Sequence, residues 1–448
     1  MNERFIPPCP PRRPKPVHSL RGLCGERART AVYGWSELAF NTWHIKRNVL
    51  GHTVHIVLHP DLVQRVLLDN AANYEKPQLV KRFLARTTGR GLLTSDGELW
   101  RAQRKIVAAS FTPPAVDALV PIFAGVGERM AAGWHAGTRD MAIEATAATM
   151  TVISDALFSG DPRITSRVAM DHITAAMEGA GEARLQLLLG LPIVPVSRRG
   201  LRARQGQQFL RRTLGEIVRE RLGDDAPDDF MTGVIRALME RFPQDDAIEL
   251  AVDNAATFYL AGHETTANTT AWTLYLLSEQ PELQDQAAAE AQAALASQAD
   301  AHLPERLPLL RAILEESLRL YPPVPRFDRE AVAADTLGEH EIMPGELVSI
   351  WPWIIHRHKK LWSDADAFDP QRFAPGRKND RHRFQYLPFG AGPRTCVGAR
   401  LAMAEALTIL ATWLSRWRFT AVPGRQVQVS GMVTLRPKGG LPLRLSRR

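Results

Sequence analysis

Cysteine is nearly missing: 448 residues hold three, Cys9, Cys24 and Cys396. Three scattered thiols build no disulfide framework and match no paired-cysteine zinc spacing, so a reducing, cytoplasmic setting is expected. Also lacking is any long Ser/Gly-rich or low-complexity stretch that would divide the chain, which reads as a single large domain over residues 31–448. Ahead of it, residues 1–30 form a basic, proline-rich arm, read as loose because its prolines prevent a helix. No apolar run in the arm is long enough for a signal peptide or a transmembrane anchor, so neither is expected. The net charge is +8, yet the basic residues are scattered and no helix-turn-helix, zinc-finger or aromatic RNA-binding motif accompanies them. An acidic protein partner fits this basic surface better than nucleic acid.

What is present suits a large core: 45% of the residues are apolar and 23% charged. Thr53–His59 reads as a short strand and the residues from Pro60 to Leu68 as a helix. The pattern is overwhelmingly helical from Asp96 to Leu310 and returns to short β segments between Leu337 and Trp353. The fold class is therefore mainly α with a minor β-sheet. Asp246–Glu279 is continuously compatible with helix, and roughly 34 residues at about 1.5 Å each cross about 50 Å. Asp253, Asn254, His263, Glu264 and Asn268 within it argue against a membrane span.

Phe389–Gly398 reads FGAGPRTCVG and leads into the apolar-periodic stretch ARLAMAEALTILATWL. Cys396 thus sits just ahead of a helix N-terminus, whose N–H groups and dipole favour thiolate over thiol. Gly390, Gly392 and Gly398 let the backbone turn and come close to a flat ligand, Phe389 can cover the sulfur, and Arg394 offers a guanidinium to a carboxylate. Taken alone, a buried cysteine before a helix is more often inert packing.

The surroundings reverse that reading, because the stretch resembles the haem-binding signature of the cytochrome P-450 family, F-x-x-G-x-R-x-C-x-G, at Phe389, Gly392, Arg394, Cys396 and Gly398. Other motifs of the family follow in order. Glu316 and Arg319 in LEESLRLYPPVP resemble its E-x-x-R pair, and Arg372 in FDPQRF is the expected third member, a structural brace for the cysteine loop. LAGHETTA resembles the oxygen-activation element at Ala261–Thr265: Ala261 and Gly262 would leave room for dioxygen, Thr265 would handle bound oxygen and Glu264 would relay protons. His263 receives no role. Trp100 and Arg104 in ELWRAQRK resemble the W-x-x-x-R element and, with Arg394 and Arg329, would bind haem propionates. In isolation, most of these pairs would read as ordinary surface salt bridges, helix-satisfied hydroxyls or core packing.

The resemblance covers about residue 50 to the end and implies a haem-thiolate monooxygenase fold in which haem b (iron protoporphyrin IX), ligated by the Cys396 sulfur, lies between the long helix and the cysteine loop. It implies insertion of one atom of O2 into a hydrophobic small-molecule substrate. The two electrons would come from an acidic ferredoxin or flavodoxin with its reductase, since the sequence carries no flavin- or nicotinamide-binding motif and no iron–sulfur cysteines. Arg101, Lys105, Arg381, Arg383, Arg394 and Arg400 are the expected docking cations, and a monomer is expected. The substrate lining is expected from Lys76–Leu92, Gly179–Val196, the helix before Thr265, Val324–Phe327 and Gly431–Val433. A peroxide-driven or peroxide-rearranging haem-thiolate enzyme, and a non-catalytic haem protein that binds a gas, are the alternative readings.

Overall fold

The computed structural model describes residues 4–14, 30–49, 51–178, 194–195, 197–296, 302–377, 381–431 and 433–448. Its axis is the helix Gln244–Ser278, 35 residues long. Asp245 and Asp246 stand in its first turn, where carboxylates complement the helix dipole. Beyond the first turns it is buried nearly all round, the mark of a core helix. Helices Met141–Phe158, Arg198–Glu220, Phe230–Met239, Pro308–Leu320 and Ala399–Leu414 pack against it. Three of its hydroxyls are satisfied within the helix: Thr257, Thr269 and Thr273 each donate to the carbonyl four residues back, at 2.8 Å. Met141–Phe158 is long and apolar enough to cross a membrane, but here it is a core element packed on the long helix.

The main sheet has five strands in the order His44–Val49, His52–Val57, Leu347–Ile350, Phe327–Ala331 and Tyr74–Glu75. The second and third are parallel and the other neighbours antiparallel. Glu75 pairs with Glu330, so Lys76 leaves its strand beside Arg329. The region read as a helix from Pro60 to Leu68 is helical to Gln64, then widens into a π-type turn at Arg65–Asp69.

Two other sequence expectations change. Gly137–Asp140, inside the stretch read as helical, is a strand, recruited by pairing with Pro442–Arg447 in a second sheet completed by Trp417–Ala421. Its four residues have no strand pattern of their own; the partner supplies the ladder. In the segment read as a loose arm, residues 4–14 are held on the body. Phe368 donates its N–H to the Phe5 carbonyl at 2.9 Å, the Tyr321 hydroxyl donates to the Pro8 carbonyl at 2.7 Å, and Arg12 pairs with Glu37 and Asp366. Prolines exclude helix but not extended packing. Residues 15–29 lie outside the described residues, as does most of Gly179–Val196.

Candidate active site

The cysteine loop is shaped by two left-handed glycines, Gly390 at φ 67° and Gly392 at φ 70°. A Cβ on Gly392 would lie 1.7 Å from the Leu67 carbonyl oxygen, so glycine is required there by the π-type turn beneath it. A Cβ on Gly390 would meet nothing within 4 Å, leaving that side of the backbone open to a flat group. Gly398, at φ −88°, caps the helix Ala399–Leu414 with an ordinary backbone. The Cys396 N–H donates to the Phe389 carbonyl at 2.9 Å, closing the loop.

Cys396 is accessible, yet surrounded by protein mass, and that burial pushes its thiol up from the ordinary value. The Gly398 N–H and the Arg104 guanidinium pull the other way without prevailing. The helix N-terminus therefore supports a thiolate less strongly than its sequence position implies. A metal ion bound at this sulfur would favour the thiolate.

Burial of the long helix is continuous over Leu250–Tyr259 and Thr266–Ser278 but broken at Leu260–Thr265, where only His263 is buried. The helix Ala399–Leu414, which packs on it, is likewise accessible over Ala399–Met403 and buried beyond. Accessible residues in the middle of an otherwise enclosed helix mark a hollow inside the molecule. Ala261 lies at this opening. Gly262 does not widen it as expected: a Cβ there would sit 2.7 Å from Ile153 Cδ1, so its small size serves close packing against Met141–Phe158. The Thr265 hydroxyl donates to the Ala261 carbonyl at 2.7 Å, and Glu264 Oε2 is buried with no hydrogen-bond partner. His263 faces away, its Nδ1 2.7 Å from the Tyr259 carbonyl.

Four cations gather between the cysteine loop and the main sheet. Arg394 lies 3.9 Å above the Trp100 ring, donates to the Ser95 carbonyl at 2.8 Å and pairs with Asp96. Burial drives Arg394 down to about 10 and Lys76 down to about 7, and Lys76 is further lowered by Arg394 and Arg329. Arg329 and Arg104 are also lowered, by burial first. Asp96, the acid closest to the group, is shared with Lys81 at 2.6 Å. Such an excess of positive charge, with Arg329 buried and Lys76, Arg104 and Arg394 half-buried, fits a ligand carrying carboxylates. An accessible sulfur, a flat approach over Gly390 and this cation set together fit haem. Sequence reasoning named Arg104, Arg329 and Arg394 but missed Lys76 as a member, since its partners come from strand pairing.

The structure brings Glu316, Arg319 and Arg372 together. Glu316 and Arg319, both wholly buried, meet through two bonds of 2.7 Å. Arg319 also donates to the carbonyls of His356, Ala365 and Ala367, and Arg372 Nε stands 3.5 Å from Glu316. His356 carries the brace to the cysteine loop, because its Nε2 accepts the Leu387 N–H at 2.7 Å. Nothing in the sequence singled out this histidine.

Of the expected docking cations, Arg394 points inward, Arg381 lies 4.3 Å over the Phe373 ring, and Arg400 is paired with Asp117 at 2.7 Å. Arg101, Lys105 and Arg383 are exposed.

The family profile described as Cytochrome P450 matches residues 41–441. Among curated proteins, the cyclooctat-9-en-7-ol 5-monooxygenase of Streptomyces melanosporofaciens is 32% identical over 379 residues, spanning 83% of this chain and 81% of that protein. The cyclooctatin synthase of the same organism is 30% identical over 389 residues, spanning 85% and 84%. Among solved structures, the cytochrome P450DA heme domain superposes with a TM-score of 0.81 at 23% identity, covering 99% of this chain and 98% of that one.

Proposed function

The chain belongs to the cytochrome P450 family, and from that premise we propose that this monooxygenase inserts one oxygen atom from O2 into a hydrophobic small molecule, using electrons from a separate protein. The carrying observation is the accessible Cys396 sulfur beside a half-buried, anion-poor set of cations. We assign haem b as the form of the haem-thiolate cofactor and Cys396 as its sulfur ligand. Phe389, Gly390 and Gly398 line the sulfur side. Trp100, Arg104, Arg329 and Arg394, joined by Lys76, hold the propionates.

When bound, the haem supplies the activation of dioxygen. The residues of this chain then do the positioning and the proton work. Ala261 keeps the helix surface low, and Gly262 lets that helix seat closely against Ile153. Thr265 Oγ1, donating to Ala261 in this structure, keeps lone pairs free to accept a hydrogen bond, and Glu264 Oε2, buried without a partner, is the group that delivers the proton. Glu316, Arg319 and Arg372 touch none of the reacting atoms and act as positioning residues through His356 and Leu387.

A relative named for oxygenation of cyclooctat-9-en-7-ol, an unsaturated alcohol, supports a substrate that is mostly hydrocarbon. An acidic ferredoxin or flavodoxin with its reductase is the proposed donor, docking at Arg101, Lys105 and Arg383; a cytoplasmic monomer completes the proposal. The test is a carbon monoxide difference spectrum of the reduced protein and of Cys396→Ser. A thiolate-type band in the native protein, lost in the variant, is expected; its absence from the native protein would sink the assignment. Compounds that shift the haem spin state then define the substrate.

A further inference from the structure

The helix Met141–Phe158 packs on the long helix at the turn that carries Glu264 and Thr265. Two of its residues, four apart and so on one face, make the contact. Ile153 is the side chain against which Gly262 seats, and the Thr149 hydroxyl lies 3.0 Å from the His263 carbonyl. Thr149 is wholly buried, and its oxygen also stands 3.1 Å from the Ala145 and Thr146 carbonyls of its own helix. A hydroxyl carries one proton, so the three acceptors compete for it, and the shortest reach is the one that crosses between helices. Within the long helix, the Tyr259 carbonyl is met by His263 Nδ1 and the Ala261 carbonyl by the Thr265 hydroxyl, both at 2.7 Å. Alternate carbonyls of this turn are thus engaged by side chains, that of His263 from a neighbouring helix. Such donors compete with the backbone ladder, so the turn takes its shape from them as well as from the helix.

We propose that Thr149 is a positioning residue for the oxygenation reaction: its hydroxyl, donating to the His263 carbonyl, sets the direction in which Glu264 enters the hollow. The inference rests on the reading of Glu264 as the proton carrier. The carbonyl of His263 and the Cα of Glu264 belong to one planar peptide, so fixing the oxygen fixes where the Glu264 side chain leaves the backbone. Ile153 beneath Gly262 restrains the residue before that peptide. Glu264 Oε2 has no hydrogen-bond partner to aim it, which leaves the backbone to do so. Thr149 itself touches no reacting atom and gives up no proton.

The haem-loaded full-length protein would be compared with Thr149→Val, Thr149→Ser, Glu264→Gln and the double variant Thr149→Val with Glu264→Gln. Valine keeps the shape and removes the hydroxyl; serine restores it. Turnover of Thr149→Val is expected to fall about tenfold with KM and the substrate-induced spin shift unchanged, and Thr149→Ser to recover most of that loss. Once Glu264 is glutamine, valine should cost less than about twofold, because the two residues act through one path. Without any turnover, the infrared band of the Glu264 carboxyl, identified by its loss in Glu264→Gln, should move in Thr149→Val and return in Thr149→Ser. An unmoved band, or an equal loss of turnover from valine in both backgrounds, would overturn the proposal. Native turnover in Glu264→Gln would instead remove the proton-carrier reading, and the band would still decide whether Thr149 aims that side chain. Should Thr149→Val not take up haem, Thr149→Ala, which also lacks the hydroxyl, takes its place in each comparison.

Discussion

Arg211 Nη1 lies 2.7 Å from Asp253 Oδ1, and the acid is wholly buried in the long helix while the base reaches in from Arg198–Glu220. The other carboxylate oxygen accepts the Arg90 N–H at 2.7 Å, and neighbouring Asn254 accepts the Leu92 N–H at 3.0 Å. Two adjacent residues of one helix thus tie down both a second helix and the segment Lys76–Leu92 expected to line the substrate site. Burial pushes the Asp253 carboxyl up, opposed by the Arg211 guanidinium and the Arg90 N–H, which favour its charged form.

Arg211→Ala leaves that buried carboxylate with fewer donors, at a cost of about 1–3 kcal/mol. Hydrogen exchange at the Arg90 and Leu92 amides should rise by about tenfold or more, while amides of the helix Ala399–Leu414 keep their protection. Unchanged exchange at Arg90 and Leu92 would show that Arg211 holds nothing there.

Two glycines separated by a single residue should respond differently to alanine. Gly392→Ala drives a Cβ into the Leu67 carbonyl and should abolish haem incorporation, read as loss of the carbon monoxide band. Gly390→Ala clashes with no protein atom and carries only the left-handed backbone penalty of about 1–2 kcal/mol, so the chain should fold and keep the carbon monoxide band, with haem held more weakly because the methyl enters the side left open to it. Equal behaviour of the two variants would contradict the packing described here.

His356 gives a pH dependence with a fixed sign. It accepts the Leu387 N–H at Nε2, so its proton sits on Nδ1, facing the Arg319 carbonyl at 3.2 Å. Burial first, then the Arg319 and Arg357 charges, lower it from 6.5 to about 3. Below pH 6.5 the unfolded chain binds a proton that the native state refuses. Stability should therefore be flat above that pH and fall as pH drops towards 3, by at most about 1.4 kcal/mol per unit from this group. Denaturant unfolding of native protein and His356→Gln between pH 7.5 and 4.5 tests it; identical slopes would remove His356 as a contributor.

Donor docking should respond to Arg101→Glu with Lys105→Glu, which reverses two exposed charges and leaves the interior alone. Reduction by an acidic ferredoxin is expected to slow by about tenfold at low salt, with the difference shrinking as salt rises. A rate insensitive to both changes would place the donor elsewhere.

Glu264→Gln removes the proton carrier and keeps the shape. Turnover should drop by about a hundredfold, with the substrate-induced spin shift intact. A variant with native turnover would move the proton path away from this side chain.

The parts of the site legible in the sequence are those written in short contiguous stretches. The glycine turns, the cysteine ahead of its helix and the i,i+3 spacing of Glu316 and Arg319 depend on local backbone geometry, which neighbouring residues dictate. The strand Gly137–Asp140 was not legible, because its order comes from a partner three hundred residues away. Nor was the true use of Gly262, where smallness suggested room for a ligand and the fold uses it to seat one helix on another.

By itself the sequence determined the turns of the cysteine loop, the long helix and the mainly α architecture, since each follows from local spacing and periodicity. The tertiary structure alone decided which charges meet: the Glu75–Glu330 pairing sets Lys76 beside Arg329, and the cysteine loop brings Arg394 to them. The reason is electrostatic. Four scattered cations read as solvated surface until burial removes the water that would screen them, and only the packed fold decides that.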